Sequence, residues 1–378
     1  MFKTFTCIAL MCVTLTASAQ NLDELSFGSD STLDIISWNI EWLPKNEATT
    51  ADYVGQIINN LNADIYALQE IDDTTLLKET IDALGNYECF FESSWYGGLA
   101  YVYNTNTIQV IDQYEIYTEE PYWNAFPRSP QLIEFSYLGE VYYLINNHFK
   151  CCGDGEITLN DEGDEEFRRL QAVTYLKEYI DSVLPTDRVL VVGDLNDILT
   201  DNASNNVFLP FIEDADNYNF TDMDIAQGSS TNYSFPTWPS HLDHILITHA
   251  LFDFPQQTET IKVDEYMMNW NDYDNNVSDH RPVGWKLFNT PSTMSIPPIQ
   301  SALVQYSATE DLIEINFNTS LAGKQLSIYN FEGALIEEYT IPNTANKFTF
   351  STANFSSGMY FFTCAKYELF GKFIVHEF

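Results

Sequence analysis

Six short segments between residues 37 and 282 each bring polar side chains to the end of an apolar run. Ser37-Trp38-Asn39-Ile40-Glu41 offers Asn39 and Glu41, Ala67-Leu68-Gln69-Glu70-Ile71 offers Glu70, and Asn146-Asn147-His148 offers His148. Gly193-Asp194-Leu195-Asn196-Asp197 offers Asp194 and Asn196. His241-Leu242-Asp243-His244 offers Asp243, and Ser278-Asp279-His280-Arg281-Pro282 offers Asp279 and His280. Carboxylates and amides are the hard oxygen donors that magnesium takes while keeping several of its waters. A histidine next to a carboxylate is fixed in one tautomer and works as an acid or base near neutral pH. Each segment alone has a plainer reading: a capped strand, a turn or a solvated carboxylate, and a lone His244 is more often structural. Six such ends in one region are hard to explain as turns.

The stretch Val189–Asp197 sets the pattern for the rest. Val189-Leu190-Val191-Val192 reads as a fully buried strand, and Gly193 ends it. Asp194 and Asn196 are two apart, so an extended backbone would send both to one face. A buried strand that delivers a carboxylate and an amide to a sheet edge is costly unless something there needs them. The plain alternative is an Asp-Asn turn.

The elements that must carry these ends follow from periodicity. Strands are expected at Leu33–Ile40, Asp64–Ile71, Cys89–Phe91, Leu99–Tyr103, Gln131–Phe135, Val141–Asn147, Leu242–Thr248 and Val283–Leu287. Helices are expected at Asp52–Leu61, Thr74–Leu84 and Glu165–Val183, the last stopped by Pro185. Several strands are apolar on both faces, which fits two packed sheets with helices outside. After Ser301 the helices stop, and six short strands between Leu312 and His376 read as a small β-sandwich.

Residues 1–19 carry Lys3, an apolar run from Phe5 to Leu15 and Ala17-Ser18-Ala19, the layout of a cleavable secretory signal. The run is too short to span a bilayer, so no transmembrane segment is expected once the signal is removed. Four cysteines then remain: Cys89, Cys151, Cys152 and Cys364. An even count in an exported chain permits disulfides, with connectivity open. The adjacent pair Cys151-Cys152 could be a vicinal bridge, two bridges to different partners or two thiols. Zinc spacing is lacking. The formal net charge of −39 argues against sequence-blind coating of nucleic acid, which needs many Lys and Arg contacts. It leaves room for a nuclease whose metal and few local cations offset the field. The Pro-rich stretch Asn289–Ser301 divides the chain.

The ordered set Asn-x-Glu, Gln-Glu, Asn-x-His, Gly-Asp-x-Asn, Asp-His-Ile and Ser-Asp-His resembles the endonuclease/exonuclease/phosphatase (deoxyribonuclease-like) superfamily over roughly residues 33–288. The resemblance implies an α/β fold, a four-layer α/β/β/α sandwich, here followed by a small all-β sandwich. It implies that Glu70 is the principal ligand of Mg2+ (Mn2+ or Ca2+ as substitutes), with Asn39, Asp279 and, less centrally, Glu41 nearby. It further implies that Asp194 activates the attacking water and Asn196 binds the phosphate. His280 would pair with Asp243 at a near-neutral pKa, and His148 would face the scissile phosphate from the other side. Arg128 stands where pancreatic-type members contact phosphate, and Lys150 adjoins a motif histidine. Arg168 and Arg281 read equally as substrate contacts or salt-bridge partners. Tyr122, Trp123, Tyr233, Phe235 and Trp238 are rim or packing aromatics.

The C-terminal region resembles the sorting domain of Bacteroidetes type IX secretion, carried by Leu326–Asn330, Gly333, Ser357–Tyr360 and Lys372–Val375. A carbohydrate-binding sandwich is the alternative. The expected organisation is a signal peptide at 1–19, a catalytic domain at 30–289, a linker at 290–301 and a sorting domain at 302–378. The expected product is a monomeric phosphodiesterase, secreted or held at the outer-membrane surface through the type IX secretion machinery. Nucleic acid is the first substrate expected. Phospholipid or inositol phosphate, and a non-catalytic surface binding protein, are the competing readings.

Overall fold

A computed structural model describes residues 21–92 and 97–288, and in the C-terminal region 303–307, 312–316, 323–330, 334–342, 347–364 and 369–375. The expected signal peptide and most of the expected linker lie outside the described residues. The chain divides into two compact units, Met1–Asn289 and Thr290–Phe378.

The first unit carries twelve described strands: β1 (Thr32–Leu43), β2 (Ile65–Ile71), β3 (Tyr87–Phe90), β4 (Gly98–Asn104), β5 (Gln109–Glu115), β6 (Gln131–Tyr137), β7 (Glu140–His148), β8 (Val189–Asp194), β9 (Tyr218–Phe220), β10 (Asp243–Thr248), β11 (Gln256–Thr260) and β12 (Val283–Phe288). They form two six-stranded sheets, ordered β11-β12-β1-β2-β4-β3 and β5-β6-β7-β8-β10-β9. Helices α1 (Glu47–Leu61), α2 (Thr74–Asp82) and α3 (Glu165–Val183) complete the frame. Three separate cores define four layers. Val54, Ile57, Ile58 and Leu61 of α1 and Leu77 and Ile81 of α2 pack on Trp38, Tyr66 and Leu68 of the first sheet. Leu33, Ile35 and Ile65 meet Leu144, Leu190, Val192 and Ile245 between the sheets. Ala172, Val173, Leu176 and Ile180 of α3 cover Ile145, Val191 and Leu246 on the far side. The strands at the centre are buried on both faces, which is why they read as continuous apolar runs.

Helix ends are set locally. Asp73 accepts the Leu76 amide at the start of α2, and Asp164 accepts the Phe167 amide at the start of α3. The α3 boundaries match the sequence expectation. Strands β5, β9 and β11 were not expected: β5 and β11 are edge strands with no buried residue, rich in Gln, Glu and Thr, and β9 has three residues. Their polarity hides them from a hydrophobic pattern.

The second unit contains a three-stranded and a four-stranded antiparallel sheet. Ile313, Ile315, Leu326, Ile328, Phe350 and Phe362 form its own core. Among the described residues no helix is long and apolar enough to cross a membrane.

Gly193 marks a close approach of β8 to β7. Its φ is +140°, and an added Cβ would lie 1.9 Å from the Asn147 carbonyl oxygen. Backbone contacts of that kind do not yield. Gly193→Ala should lower stability by about 3 kcal/mol, near the upper end for overpacking. Urea unfolding followed by tryptophan fluorescence checks this; an unchanged midpoint would contradict it.

Candidate active site

Strand register assembles the site. His148 at the end of β7 is opposite Asp194 on β8, and Asp194 is opposite Asp243 on β10. The first sheet brings Asn39 on β1 beside Gln69 on β2, one residue before Glu70. Both strands lose regular pairing there, between Asn39 and Leu43 and between Leu68 and Ile71. Glu41, Trp42 and Glu70 take φ values of +33°, +55° and +60°. Such irregularities re-aim side chains at strand ends, a common device next to active sites.

Asn39 joins the two sheets. Its amide Nδ2 donates to Glu70 Oε1 at 3.1 Å and to Asp194 Oδ2 at 2.9 Å. His148 Nε2 lies 3.7 Å from Glu70 Oε1 and 3.6 Å from Asp194 Oδ2. His280 Nδ1 is 2.7 Å from Asp243 Oδ2, and its Nε2 faces Asp194 Oδ2 at 3.7 Å and Asp279 Oδ1 at 3.9 Å. The Ser278 hydroxyl holds this last loop on β1, donating to the Asn39 carbonyl at 2.7 Å and accepting the His280 amide at 2.9 Å. Asn196 departs from the extended expectation. Its φ is +53°, its amide N–H donates back to Asp194 Oδ1 at 3.1 Å, and its side chain donates to the Phe149 carbonyl at 3.2 Å. The Asp-Asn turn is therefore real, and its acid still faces the site with the other oxygen.

The remaining expected residues are placed differently. Glu41 accepts the Lys45 ammonium and the Asp279 amide, the latter at 2.8 Å, so it braces the Asp279 loop. Arg128 donates from Nε to the Gly97 carbonyl at 3.1 Å. Lys150 turns to the Cys151 carbonyl at 2.9 Å and to Glu165 at 3.8 Å. Glu70, His148, Asp194, Asn196, Asp279 and His280 line one cleft of about 600 Å³, and the charge of Arg128 acts on His148 from beside it. Arg281 forms a two-pronged pair with Asp264, at 2.7 Å on each prong. Arg168 donates to the Asn124 carbonyl at 2.6 Å. Of the aromatics, Phe235 and Trp238 line the cleft, together with Trp42.

Residues 36–280 match the Endonuclease/Exonuclease/phosphatase family, well over half of the chain. The chain belongs to that family. Residues 309–376 match the Secretion system C-terminal sorting domain, which indicates secretion or attachment at the outer-membrane surface by the type IX route. Solved structures of similar fold include D. rerio TDP2 complexed with single-strand DNA product, 17% identical, with TM-score 0.52 over 68% of this chain and 99% of that one. An endonuclease/exonuclease/phosphatase protein from Bacteroides vulgatus is 15% identical, with TM-score 0.50 over 68% of this chain and 98% of that one. No curated protein matches the sequence. Family membership makes the chain a phosphoric ester hydrolase of a divalent-metal-dependent class.

In this member of the family the electrostatics at the centre are tightly balanced. Burial pushes Asp194 up to about 7, against the pull of the His280 charge and the Asn39 hydrogen bond and with the push of Asp243. Burial opposes the charge on His280, but the carboxylates of Asp243 and Asp194 outweigh it and push its pKa up to about 10. The near-neutral expectation for His280 counted one carboxylate, and the fold supplies three at close range, Asp243, Asp194 and Asp279. His148 is held well below the usual histidine value by burial and by the charges of Arg128 and His280, so it enters the site as a neutral imidazole.

Sequence reasoning missed the wall behind this site. Arg169 donates to Asp197 Oδ2 at 2.9 Å and lies 3.1 Å from Glu166 Oε1. Asp222 accepts His241 at 3.0 Å and His244 at 2.6 Å, and His244 Nε2 reaches the Asp197 carbonyl at 2.9 Å. Both anchors fix Asp197, three residues beyond Asp194. The spacing of Glu166 and Arg169, three apart on a helix, was the available signal.

The raised His280 value has a consequence for stability. Its folded value of about 10 exceeds its ordinary 6.5. The contribution is therefore complete below the ordinary value and is lost as pH rises through the folded one. Between about pH 7 and 10 the melting temperature of the wild type should fall more steeply than that of His280→Gln. Parallel curves for the two proteins would refute this assignment.

Proposed function

We propose that the protein is a secreted, divalent-metal-dependent phosphodiesterase that hydrolyses nucleic-acid phosphodiester bonds. The observation that carries this reading is the Asn39 amide, which ties Glu70 of one sheet to Asp194 of the other with both histidines flanking them. The donor set fits magnesium: Glu70 and Asp279 are hard oxygen ligands whose side chains keep 14% and 29% of their exposure at the cleft. Glu70 accepts Asn39 Nδ2 on Oε1 and the Trp42 amide on Oε2, and Asn39 Oδ1 accepts the Glu41 amide; each oxygen keeps a second lone pair for the ion. A bound magnesium would act there as a Lewis acid on a phosphoryl oxygen.

The chain's own groups divide the remaining work. Asp194, in its ionised form and aimed by Asn39, orients the attacking water and takes its proton. His280, kept charged by Asp243, faces Asp194 and offsets negative charge that develops on the phosphate. Neutral His148 presents an N–H to the leaving oxygen from the β7 side. Asn196, fixed by its turn, donates to a phosphate oxygen.

Support for nucleic acid comes from the cleft rim. Trp42, Phe235 and Trp238 line it, and flat aromatic faces are what unpaired bases stack on. D. rerio TDP2, of the same fold, is described with a single-strand DNA product. A phospholipid head group is the second reading, favoured by Trp238 at 78% exposure on the rim of a strongly acidic chain. Supplying single-stranded DNA, RNA, sphingomyelin vesicles and inositol phosphates side by side separates the two. Hydrolysis should vanish in EDTA and return with magnesium or manganese; full activity in EDTA would sink the metal assignment.

Asp194→Asn keeps the acceptor for the Asn196 amide and removes the charge. Turnover should fall by about 10²–10⁴-fold with KM little changed, while the loss of the acceptor for Asn39 Nδ2 costs only about 1–3 kcal/mol of stability and leaves the protein folded. Undiminished turnover would end the role proposed for Asp194.

Removing residues 302–378 should leave hydrolysis intact and retain the protein in the periplasm. Normal appearance of the truncated chain in the medium would refute the sorting role.

A further inference from the structure

Cys151 and Cys152 sit on the wall of the same cleft as Glu70, His148 and Asp194. Both are exposed, and their sulfurs are 3.0 Å apart, inside the usual non-bonded separation of two sulfur atoms. Cys152 has a φ of +73°, a left-handed conformation that non-glycine residues seldom adopt without a structural demand. The demand is visible. One nitrogen of Arg169 donates to the Lys150 carbonyl at 2.7 Å and to the Cys152 carbonyl at 2.8 Å, gripping the backbone on either side of the pair. Glu166 extends the grip by accepting the Gly155 amide at 2.7 Å. Arg169 and Glu166 are themselves buried, and Arg169 also holds Asp197. Of the other described cysteines, Cys89 is on β3 of the first sheet, and Cys364 is buried in the core of the second unit.

We propose that Cys151 and Cys152 close a vicinal disulfide on the cleft wall and that this bridge is a redox-labile latch on substrate entry. The redox part goes beyond the assigned activity; the entry part rests on the cleft being the substrate site. Export through the sorting domain takes the chain to an oxidising compartment, where disulfides persist. The step is thiol–disulfide exchange with a disulfide oxidant. The thiolate of one cysteine attacks the oxidant's S–S bond and expels one thiol. The neighbouring thiolate then attacks the mixed disulfide and expels the second. The pair loses two protons and two electrons, and one disulfide oxidant becomes two thiols. Drawing the sulfurs to a bond of about 2 Å within adjacent residues is geometrically demanding. Strained, exposed bridges have the more oxidising potentials typical of labile and regulatory disulfides. Reduction removes the covalent restraint on the Cys151–Cys152 peptide and leaves the loop 150–155, with its two positive-φ glycines Gly153 and Gly155, held on the cleft wall by Arg169 and Glu166 alone.

The test uses the full chain purified from culture medium without reductant. Alkylation under denaturing conditions followed by peptide mass analysis should find Cys151 and Cys152 unmodified and the peptide lighter by two hydrogen atoms. After phosphine reduction both should alkylate. Alkylation of either before reduction, or linkage of either to Cys89, Cys364 or another chain, overturns the bridge. The second arm measures hydrolysis of bis(p-nitrophenyl) phosphate with magnesium before and after reduction. Reduction should raise KM several-fold with kcat nearly constant, and Cys151→Ser/Cys152→Ser should show no response to reductant. An unchanged KM in the wild type, or an equal response in the double variant, overturns the latch. Failure of the phosphodiester reading would instead appear as no hydrolysis in either state, with the mass result standing by itself.

Discussion

Asp194 and Asp243 are buried acids paired across adjacent strands of one sheet, and the rest of the site exists to make that tolerable. Two carboxylates out of water repel each other and lose hydration, a combination that drives one of them to take up a proton. Three groups oppose this. His280 stands between the two acids, bonded to one and facing the other. Asn39 reaches across from the opposite sheet to donate to Asp194, and the Asn196 amide satisfies its second oxygen. Remove the sheet-to-sheet approach and the acid has no donor from the far side.

That approach is a property of the layers. The core between the sheets, built from Leu33, Ile35, Ile65, Leu144, Leu190, Val192 and Ile245, sets the sheets at contact distance along their length. The polar residues crowd one end of that core, where the strands run out. Gln69 donates to Asn146 Oδ1 at 2.7 Å across the sheets just below the site, and Tyr101 bonds the Gln131 and Leu144 carbonyls at 2.7 Å each. Chemistry thus sits at the seam of the sandwich, and apolar packing supplies its rigidity.

A second tier supports the first without touching it. Arg169 holds the Asp197 side chain and the Asp222–His244 pair holds its backbone carbonyl. Asp197 in turn fixes the turn that carries Asp194 and Asn196. Both tiers are ion pairs buried from solvent, where losing one partner would leave an uncompensated charge. The wall that bears Cys151 and Cys152 hangs from the same arginine.

The residues with chemistry were legible in the sequence, because a buried apolar run that ends in an acid, amide or histidine is costly and therefore conspicuous. Asn39, Glu70, His148, Asp194, Asp243, Asp279 and His280 could all be found that way. So could the strand and helix layers, since double-sided apolar strands require cover on both faces. Polar edge strands such as β5 and β11 left no such trace. Only the tertiary structure decided which cations serve the cleft. Arg168 and Arg169 are neighbours in sequence, and the facing of α3 sends one to the Asn124 carbonyl and the other to the cleft wall. It also decided the pKa of His280, which depends on a second carboxylate brought by strand pairing from residues far away in the chain. Residue type and local period state what each segment needs to bury or expose, whereas distances between segments arise from packing, and charge interactions depend on those distances.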